Sequence, residues 1–201
     1  MRRVCVFCGS SVGARPEYRE AARVLARALT RRGIGLVYGG SRVGVMYEIA
    51  ATALEAGGEV IGVIPQELVD REVAFTGLSD LRIVGSMHER KALMAELSDG
   101  FIALPGGLGT IEELLEALTW AQLGLHKKPC GLLNVCHYFD ALVGFLDHAV
   151  DQRFIKPEHL GMLLIEEEPE PLLSRFDRYR APSVDKAGWT LGLADDREGR
   201  P

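Results

Sequence analysis

The sequence has no long hydrophobic run and no excess of positive charge. No apolar stretch approaches the roughly 20 residues that a membrane-spanning helix requires. The N-terminal segment MRRVCVFCGSSVG is too short a hydrophobic run for a secretory signal, because Gly9 and Ser10 interrupt it. The net charge of -5 disfavours nucleic acid and anionic membranes as main partners. We therefore expect a cytoplasmic protein that binds neither.

Cysteine is also scarce, with four in 201 residues. Cys5 and Cys8 form a C-x-x-C, but they lie in an apolar run typical of a strand. Residues three apart in a strand point to opposite faces, so the two thiols would diverge. Cys130 and Cys136 lack the spacing of a zinc finger. Buried thiols in a reducing compartment are therefore favoured over a metal or redox site, and we expect neither a metal ion nor a cofactor.

What the sequence does contain is a regular alternation of short apolar runs and longer helical patterns. Strands are predicted over residues 4–7, 35–38, 60–64, 81–84, 101–104 and 130–133. Helices are predicted over residues 18–32, 45–56, 87–97, 111–123, 139–152 and 172–179. The strands are continuously apolar, which is typical of parallel strands buried on both faces. The pattern predicts an α/β fold with a doubly wound parallel sheet.

One domain is expected, because 201 residues with 47% hydrophobic and 25% charged residues can close a single core. No linker or internal repeat divides the chain. Its boundaries are predicted as residues 1–180, followed by a flexible C-terminal tail over residues 181–201. The first helix carries an arginine every four residues from Arg19 to Arg31, which predicts a solvated face.

Three glycine-rich loops each follow a predicted strand and precede a helix, at residues 9–13, 39–44 and 105–110. In such sheets, ligands bind beyond the carboxyl ends of the strands, where backbone N–H groups and helix N-termini can hold phosphate. One such turn is weak evidence, but three at equivalent positions favour a phosphate-bearing ligand. None matches a P-loop or G-x-G-x-x-G, which argues against nucleoside triphosphate hydrolysis and a standard dinucleotide site.

The helix that contains MHERK carries a cation in an unusual position. Arg90 falls on the same helical stripe as Met87 and Met94, and an arginine on an apolar stripe requires an anion. A ligand phosphate and a structural salt bridge are equally compatible with this pattern. If the anion is a phosphate, Arg90 and Lys91 supply the positive charge that the glycine loops lack.

Two acids follow the third glycine loop in the stretch LPGGLGTIEELLEALTW. Glu112 and Glu113 are expected in the first turn of a helix, and Thr110 with Glu113 fits a capping box. The box would explain Glu113 but not Glu112. Two carboxylates beside a phosphate cradle suggest a ribose phosphate. Carboxylates can hold ribose hydroxyls, stabilise an oxocarbenium-like transition state or activate water against the anomeric carbon.

The stretch PGGLGTIEE, with MHERK upstream and ALTWAQLGLHKKPCGLLN downstream, resembles the Lonely guy (LOG) family. These are phosphoribohydrolases that activate cytokinins and are often labelled lysine decarboxylases. The resemblance extends from CVFCGSS to about Gln152. It implies a Rossmann-like fold, a homodimer, and hydrolysis of the N-glycosidic bond of cytokinin riboside 5'-monophosphates and AMP. The products would be a free base and ribose 5-phosphate.

By position, the resemblance implies that Arg90 and Glu113 are catalytic. Glu113 would stabilise the cationic ribose and orient water, and Arg90 would fix the substrate or the carboxylate. The glycine loop would hold the 5'-phosphate, with Ser10 or Ser41 as further donors. The other nucleotide-contacting positions that it implies are Glu72, Lys91, Gly106, Gly107, Leu108, Gly109, Thr110, Glu112 and Thr119.

The run YGGSRVGVMYEIA departs from the family pattern Y-G-G-G-x-x-G-L-M-G. Ser41 and Tyr47 replace glycines, and Val45 replaces a leucine. Ser41 is small and can donate to phosphate, whereas Tyr47 could reshape the base pocket or the dimer contact. Base selectivity is therefore the property that these departures affect most.

Three other functions are compatible with parts of this pattern. A non-catalytic carrier or sensor of nucleotides or a molybdenum cofactor is the main alternative, and retention of Arg90 and Glu113 disfavours it. A lysine decarboxylase would use pyridoxal phosphate on a Schiff-base lysine in a larger chain. An AMP nucleosidase without cytokinin specificity shares the chemistry, and the sequence does not separate it from a cytokinin-activating enzyme.

Overall fold

The computed structural model describes residues 1–71, 73–78 and 80–182. Within them, the strands are β1 Arg3–Phe7, β2 Gly35–Tyr38, β3 Val60–Pro65, β4 Asp80–Val84, β5 Phe101–Ala103, β6 Cys130–Leu133 and β7 Leu163–Glu166. They form one sheet in the order β4-β3-β2-β1-β5-β6-β7, and every neighbouring pair is parallel. The predicted α/β class, with a doubly wound parallel sheet, is confirmed.

Helices connect these strands. They are α1 Pro16–Arg31, α2 Gly44–Glu55, α3 Gln66–Asp70, α4 Met87–Glu96, α5 Leu108–Gln122, α6 Asp140–Asp151, α7 Pro157–Leu160 and α8 Pro169–Arg178. A 3-10 turn, Val135–His137, precedes α6. None of them, in the part of the chain that the structure describes, combines the length and hydropathy needed to cross a bilayer.

The six predicted strands and the six predicted helices are all present, with ends that differ by a few residues. Strand β7 is not predicted from the sequence, because its apolar run is short and ends in acidic residues at the edge of the sheet. Helices α3 and α7 are not predicted either, because with five and four residues they have too few turns for a helical period. Of the predicted tail, residues 183–201 lie outside the described residues.

The sheet separates two hydrophobic cores. Val4 and Val6 of β1 face the core shared with α1, α2 and α8, whereas Cys5 faces the core shared with α4, α5 and α6. Cys8 belongs to the first core, so the two thiols of the C-x-x-C diverge as predicted. Both are free, and burial raises the pKa of each thiol. Among the described residues, no group of three or more His, Cys, Asp or Glu could hold a metal ion.

The arginine face of α1 is solvated as predicted, with side chains that are 37–61% exposed, but two of its arginines also bind an acid of the neighbouring helix. Arg19 and Arg23 both donate to Glu48 of α2, whose side chain is buried. Burial raises the pKa of Glu48, but the two arginines lower it by more, so its pKa lies below the ordinary value. The pattern in α1 does not reveal this, because the acid that binds the arginines belongs to the next helix.

The order of the strands determines where a ligand can bind. The chain runs outward from β1 to β4 and then returns to β5, which pairs with the other edge of β1. Between β1 and β5, the loops at the carboxyl ends therefore diverge and leave a crevice, as in other doubly wound sheets.

Candidate active site

A cleft of about 420 Å³ opens at this crevice. The three glycine-rich loops meet in it, since Gly9 and Ser10 line it after β1, Gly39 and Ser41 after β2, and residues 107–110 at the start of α5. Its volume lies within the range of about 300–1,000 Å³ that is usual for small-molecule sites. The structure therefore brings together three loops that are far apart in the sequence.

Arg90 lies against this cleft and is 8% exposed. Its Nε donates to the carbonyl of Val63 at 3.2 Å, and its Nη2 donates to the carbonyl of Gly39 at 3.3 Å. Its Nη1 lies 3.6 Å from Oε1 of Glu113. Because arginine stays charged, its burial requires these acceptors. Arg90 thus has the structural salt bridge that the sequence left open, and it also lines the cleft.

Gly39 makes room for this guanidinium group. A Cβ at Gly39 would lie 3.0 Å from Cζ of Arg90 and would overlap its Nη2. The sequence predicts a phosphate loop at Gly39 but does not indicate this packing. Only the position of Arg90, 51 residues later, reveals the requirement.

Glu113 lies opposite Arg90, on the second turn of α5. The capping-box prediction is wrong, because Gly107 is the N-cap and the helix starts at Leu108, two residues before Thr110. The prediction that Glu112 and Glu113 lie in the first turn is wrong for the same reason. Glu113 is 9% exposed, and burial raises its pKa while Arg90 acts in the opposite direction.

The N-terminus of α5 provides donors for an anion. The first N–H groups of a helix have no acceptor within it, and the helix dipole favours negative charge there. At α5 these groups belong to Leu108, Gly109 and Thr110, which all line the cleft. Thr110 is buried, whereas the side chain of Leu108 is 88% exposed at the edge of the cleft. This end of the cleft is therefore suited to a phosphate group.

Lys91 and Thr119 do not line this cleft. The Nζ of Lys91 binds Glu112 at 2.5 Å and Glu116 at 3.0 Å. Burial lowers the pKa of Lys91, but the two carboxylates outweigh this effect and raise it. Thr119 is exposed and donates to the carbonyl of Leu115. It follows Glu112 by seven residues, which is about 10 Å along the helix.

The remaining predicted residues differ in their placement. Gly106 borders a neighbouring cavity of about 290 Å³, and its carbonyl accepts a hydrogen bond from the hydroxyl of Tyr138 at 2.7 Å. Ser10 lines both cavities. Ser41 is buried and donates to the carbonyl of Val73, so its hydroxyl ties two loops together. Glu72 lies outside the described residues.

Two aromatic residues lie beside these loops. Tyr47 is partly exposed and packs on Phe75, with ring centroids 5.4 Å apart, so it does not fill the space between packed helices. Tyr138 packs edge-on against Tyr18 and lines the cavity that Gly106 borders. Tyr138 is not predicted from the sequence, because no local pattern connects it to a glycine loop 32 residues earlier.

Comparison with known proteins identifies relatives over most of the chain. Residues 46–176 match the model of a family described as "Possible lysine decarboxylase". The "Probable cytokinin riboside 5'-monophosphate phosphoribohydrolase LOGL9" of Oryza sativa subsp. japonica is 51% identical over 178 residues, which cover 89% of this chain and 78% of that protein. The "Cytokinin riboside 5'-monophosphate phosphoribohydrolase LOG5" of Arabidopsis thaliana is 49% identical over 193 residues, with coverages of 94% and 85%.

Solved structures share the fold at lower identity. The molybdenum cofactor binding protein of Rippkaea orientalis superimposes with a TM-score of 0.66 at 24% identity, covering 88% of this chain and 96% of that one. The molybdenum cofactor carrier protein of Chlamydomonas reinhardtii gives the same TM-score at 22% identity and the same coverages. These likenesses establish a Rossmann-like fold and nothing about the ligand.

Proposed function

This chain belongs to the LOG family of cytokinin riboside 5'-monophosphate phosphoribohydrolases, and from that premise we propose that it catalyses the same reaction. The substrate is a cytokinin riboside 5'-monophosphate, and the products are the free base and ribose 5-phosphate. The observation that carries the proposal is the buried pair of Arg90 and Glu113, which lies in the same cleft as the N-terminus of α5.

The two ends of the cleft suit the two parts of the substrate. The N–H groups of α5 bind the 5'-phosphate, with the hydroxyl of Ser10 as a further donor. In this arrangement, the carboxylate of Glu113 contacts the ribose and not the phosphate. The apparent conflict between a phosphate loop and two following acids then disappears, because α5 presents its N–H groups and its acids to different parts of one molecule.

Glu113 acts on the developing charge of the sugar. As the bond between the anomeric carbon and the base breaks, the ribose acquires oxocarbenium character, which an ionised carboxylate stabilises. The oxygen of a water molecule then bonds to the anomeric carbon. The bonding electrons leave with the base, and one proton of the water ends on the base. Arg90 favours the ionised form of Glu113 and orients it, since its Nη1 lies 3.6 Å from the carboxylate.

The apolar wall of the cleft supports a modified base. The lining of the cleft includes the apolar side chains of Met46, Leu68, Val73 and Met87. Methionine side chains adapt to irregular apolar groups, so this wall suits an N6-isoprenoid chain. We propose that cytokinin nucleotides are preferred and that AMP is also hydrolysed, because adenine alone makes fewer contacts with this wall.

Decarboxylation of lysine is disfavoured by the chemistry of Lys91, the lysine beside the cleft. A Schiff-base lysine must lose its proton to attack a cofactor aldehyde. Lys91 instead binds two carboxylates, which raise its pKa and hold it protonated.

The test is base release from N6-isopentenyl-AMP and, separately, from AMP, followed by chromatography of the base and of ribose 5-phosphate. Release should require Glu113, so Glu113→Gln should lower it by about 100-fold or more. The matching nucleosides without phosphate should react far more slowly. If the folded protein binds both nucleotides but releases no base, it is a carrier and the hydrolase proposal is wrong.

The homodimer and the cytoplasmic location that the sequence suggested stay predictions. Light scattering during size-exclusion chromatography tests the dimer, which should have twice the chain mass of 22.0 kDa.

A further inference from the structure

The segment of residues 73–78, which follows α3, contributes to the apolar wall of the cleft. Val73 lines the cleft, and so does Leu68 of α3. The N–H of Val73 donates to the carbonyl of Leu68 at 3.4 Å, which joins the two positions. The 73–78 segment contains no helix or strand, and its one ladder contact is an isolated bridge between Ala74 and Ser41. Its position therefore depends on its contacts with neighbouring elements.

Three hydrogen bonds connect the 73–78 segment to the glycine-rich loop after β2. The carbonyl of Val73 accepts from the N–H of Arg42 at 2.9 Å and from the hydroxyl of Ser41 at 3.0 Å. The N–H of Phe75 donates to the carbonyl of Gly40 at 2.9 Å. Two of these bonds join backbone groups only, so they do not depend on which side chains are present. They align the segment with the loop but do not explain its residue types.

Tyr47 and Phe75 add a side-chain contact between the 73–78 segment and α2. The ring centroids lie 5.4 Å apart and the ring planes are inclined by 51°, an arrangement in which aromatic rings attract each other. Phe75 is half-buried and packs against the core shared with α1, α2 and α8, whereas Tyr47 is 45% exposed. Met46, the neighbour of Tyr47 in α2, lines the cleft. The pair thus connects two parts of the apolar wall.

The contact is a feature of this chain, because Tyr47 stands where the family pattern has a glycine. A glycine has no side chain for Phe75 to contact. Neither Tyr47 nor Phe75 is among the residues that line the cleft, so the pair can act on a ligand only through the wall that it holds. An apolar pocket distinguishes ligands that differ by a few carbon atoms through its contacts with those atoms, which requires a wall at a fixed distance.

We propose that Tyr47 and Phe75 form a positioning pair that sets the selectivity for N6-substituted nucleotides. The pair holds Leu68 and Val73 against the isoprenoid chain of the base, and it contacts neither the nucleotide nor the catalytic residues. AMP has no such chain, so its hydrolysis depends less on the position of this wall. The proposal rests on the hydrolase function proposed above.

Rates with N6-isopentenyl-AMP and with AMP test the proposal in Tyr47→Ala, Phe75→Ala and the double variant. The quantity compared is the ratio of kcat/KM for N6-isopentenyl-AMP to kcat/KM for AMP. An aromatic pair changes an equilibrium by about 2- to 12-fold, so each single substitution should lower this ratio by about fivefold. The double variant should lower the ratio no further, because either substitution removes the whole contact. The value of kcat/KM for AMP should stay within about twofold of the wild type.

Two control variants distinguish the pair from other aromatic residues. Tyr47→Phe keeps the ring and should keep the ratio of the wild type. Phe145→Ala removes an exposed ring on α6 that does not line the cleft, and it should leave the ratio unchanged. Thermal unfolding verifies that each variant is folded. Light scattering shows whether Tyr47→Ala changes the oligomeric state.

Three results would overturn the proposal. One is a ratio within about twofold of the wild type in the folded single variants, which includes an equal loss of activity with both nucleotides. If the oligomeric state of Tyr47→Ala also changes, Tyr47 belongs to a subunit contact instead. The second is a pair of effects on the ratio that multiply in the double variant, as for independent residues. The third is a wild-type protein that does not distinguish the two nucleotides.

Failure of the hydrolase proposal looks different, because the wild-type protein itself would then release no base. Calorimetry would still give the Kd of each nucleotide. The ratio of the two Kd values in the wild type, Tyr47→Ala and Phe75→Ala would then decide whether the pair sets the selectivity of binding.

Discussion

Replacing Gly39 with alanine should inactivate the enzyme without unfolding it. The added methyl group would overlap Nη2 of Arg90 and would lie 3.2 Å from Sδ of Met46. The φ angle of Gly39 is not in the left-handed region, so its backbone conformation is compatible with alanine. The clash is thus confined to side chains, and the guanidinium group is the part that must move.

The size of the effect follows from how far Arg90 has to move. A normal contact between a methyl carbon and the guanidinium group requires a displacement of about 1 Å or more, and such misplacement in an active site costs about 100-fold in rate. The move also weakens the bonds from Arg90 to the carbonyls of Gly39 and Val63. Hydrogen bonds from charged groups contribute about 1.5–3 kcal/mol each, so we expect a modest loss of stability as well.

The assay is base release from N6-isopentenyl-AMP, with thermal unfolding measured on the same samples. Gly144→Ala is the matched control, because a Cβ at Gly144 in α6 meets no atom within 4 Å. We expect kcat/KM to fall by about 100-fold for Gly39→Ala and to stay unchanged for the control. Adding Arg90→Met to Gly39→Ala should then lower kcat/KM little further, because the arginine is already misplaced. A folded Gly39→Ala protein with activity within twofold of the wild type would refute the role assigned to Arg90.

Three further predictions concern other contacts. Burial raises the pKa of Glu113 above its ordinary 4.5, and the mechanism needs the ionised carboxylate. We therefore expect kcat/KM to rise with pH through a midpoint above 4.5. A midpoint at or below 4.5 would contradict this. Tyr138→Phe removes the hydrogen bond to the carbonyl of Gly106, which is worth about 1 kcal/mol. This substitution should raise KM by a few fold with little change in kcat. An unchanged KM would show that the glycine turn does not need this bond. Glu48→Gln should lower Tm by about 2–4 °C at pH 7, measured by calorimetry. Since the pKa of Glu48 is lowered in the folded protein, its stabilisation is complete above the unfolded carboxyl pKa and is lost as the pH falls through the folded value, so the difference should vanish at low pH.

The individual strands and helices of the fold can be predicted from the sequence. The longer helices each have a period of apolar residues and the central strands a continuous apolar run, and neither pattern depends on distant partners. A parallel sheet then places all strand ends on one edge, which is why three glycine loops could be expected at a single site. Strand β7 was missed because an edge strand has a short and only partly buried run, Leu163–Glu166.

The sequence also selected the main residues of the site, but not what they contact. Arg90 was recognisable because a cation on an apolar stripe requires an anion, and Glu113 because it follows a glycine loop. The capping box is a local pattern that Thr110 and Glu113 satisfy, yet the structure does not form it. Gly107 is the N-cap instead of Thr110, and the carboxylate of Glu113 lies near Arg90.

The pairing of charges was decided only by the tertiary structure. Lys91 meets Glu112 and Glu116 because α4 and α5 pack side by side against the same face of the sheet. The sequence determined that these residues are charged and on which helices they lie. Which of these residues meet depends on the distance and the rotation between the two helices. Both quantities are set by all the packing contacts together, so no local sequence pattern predicts them.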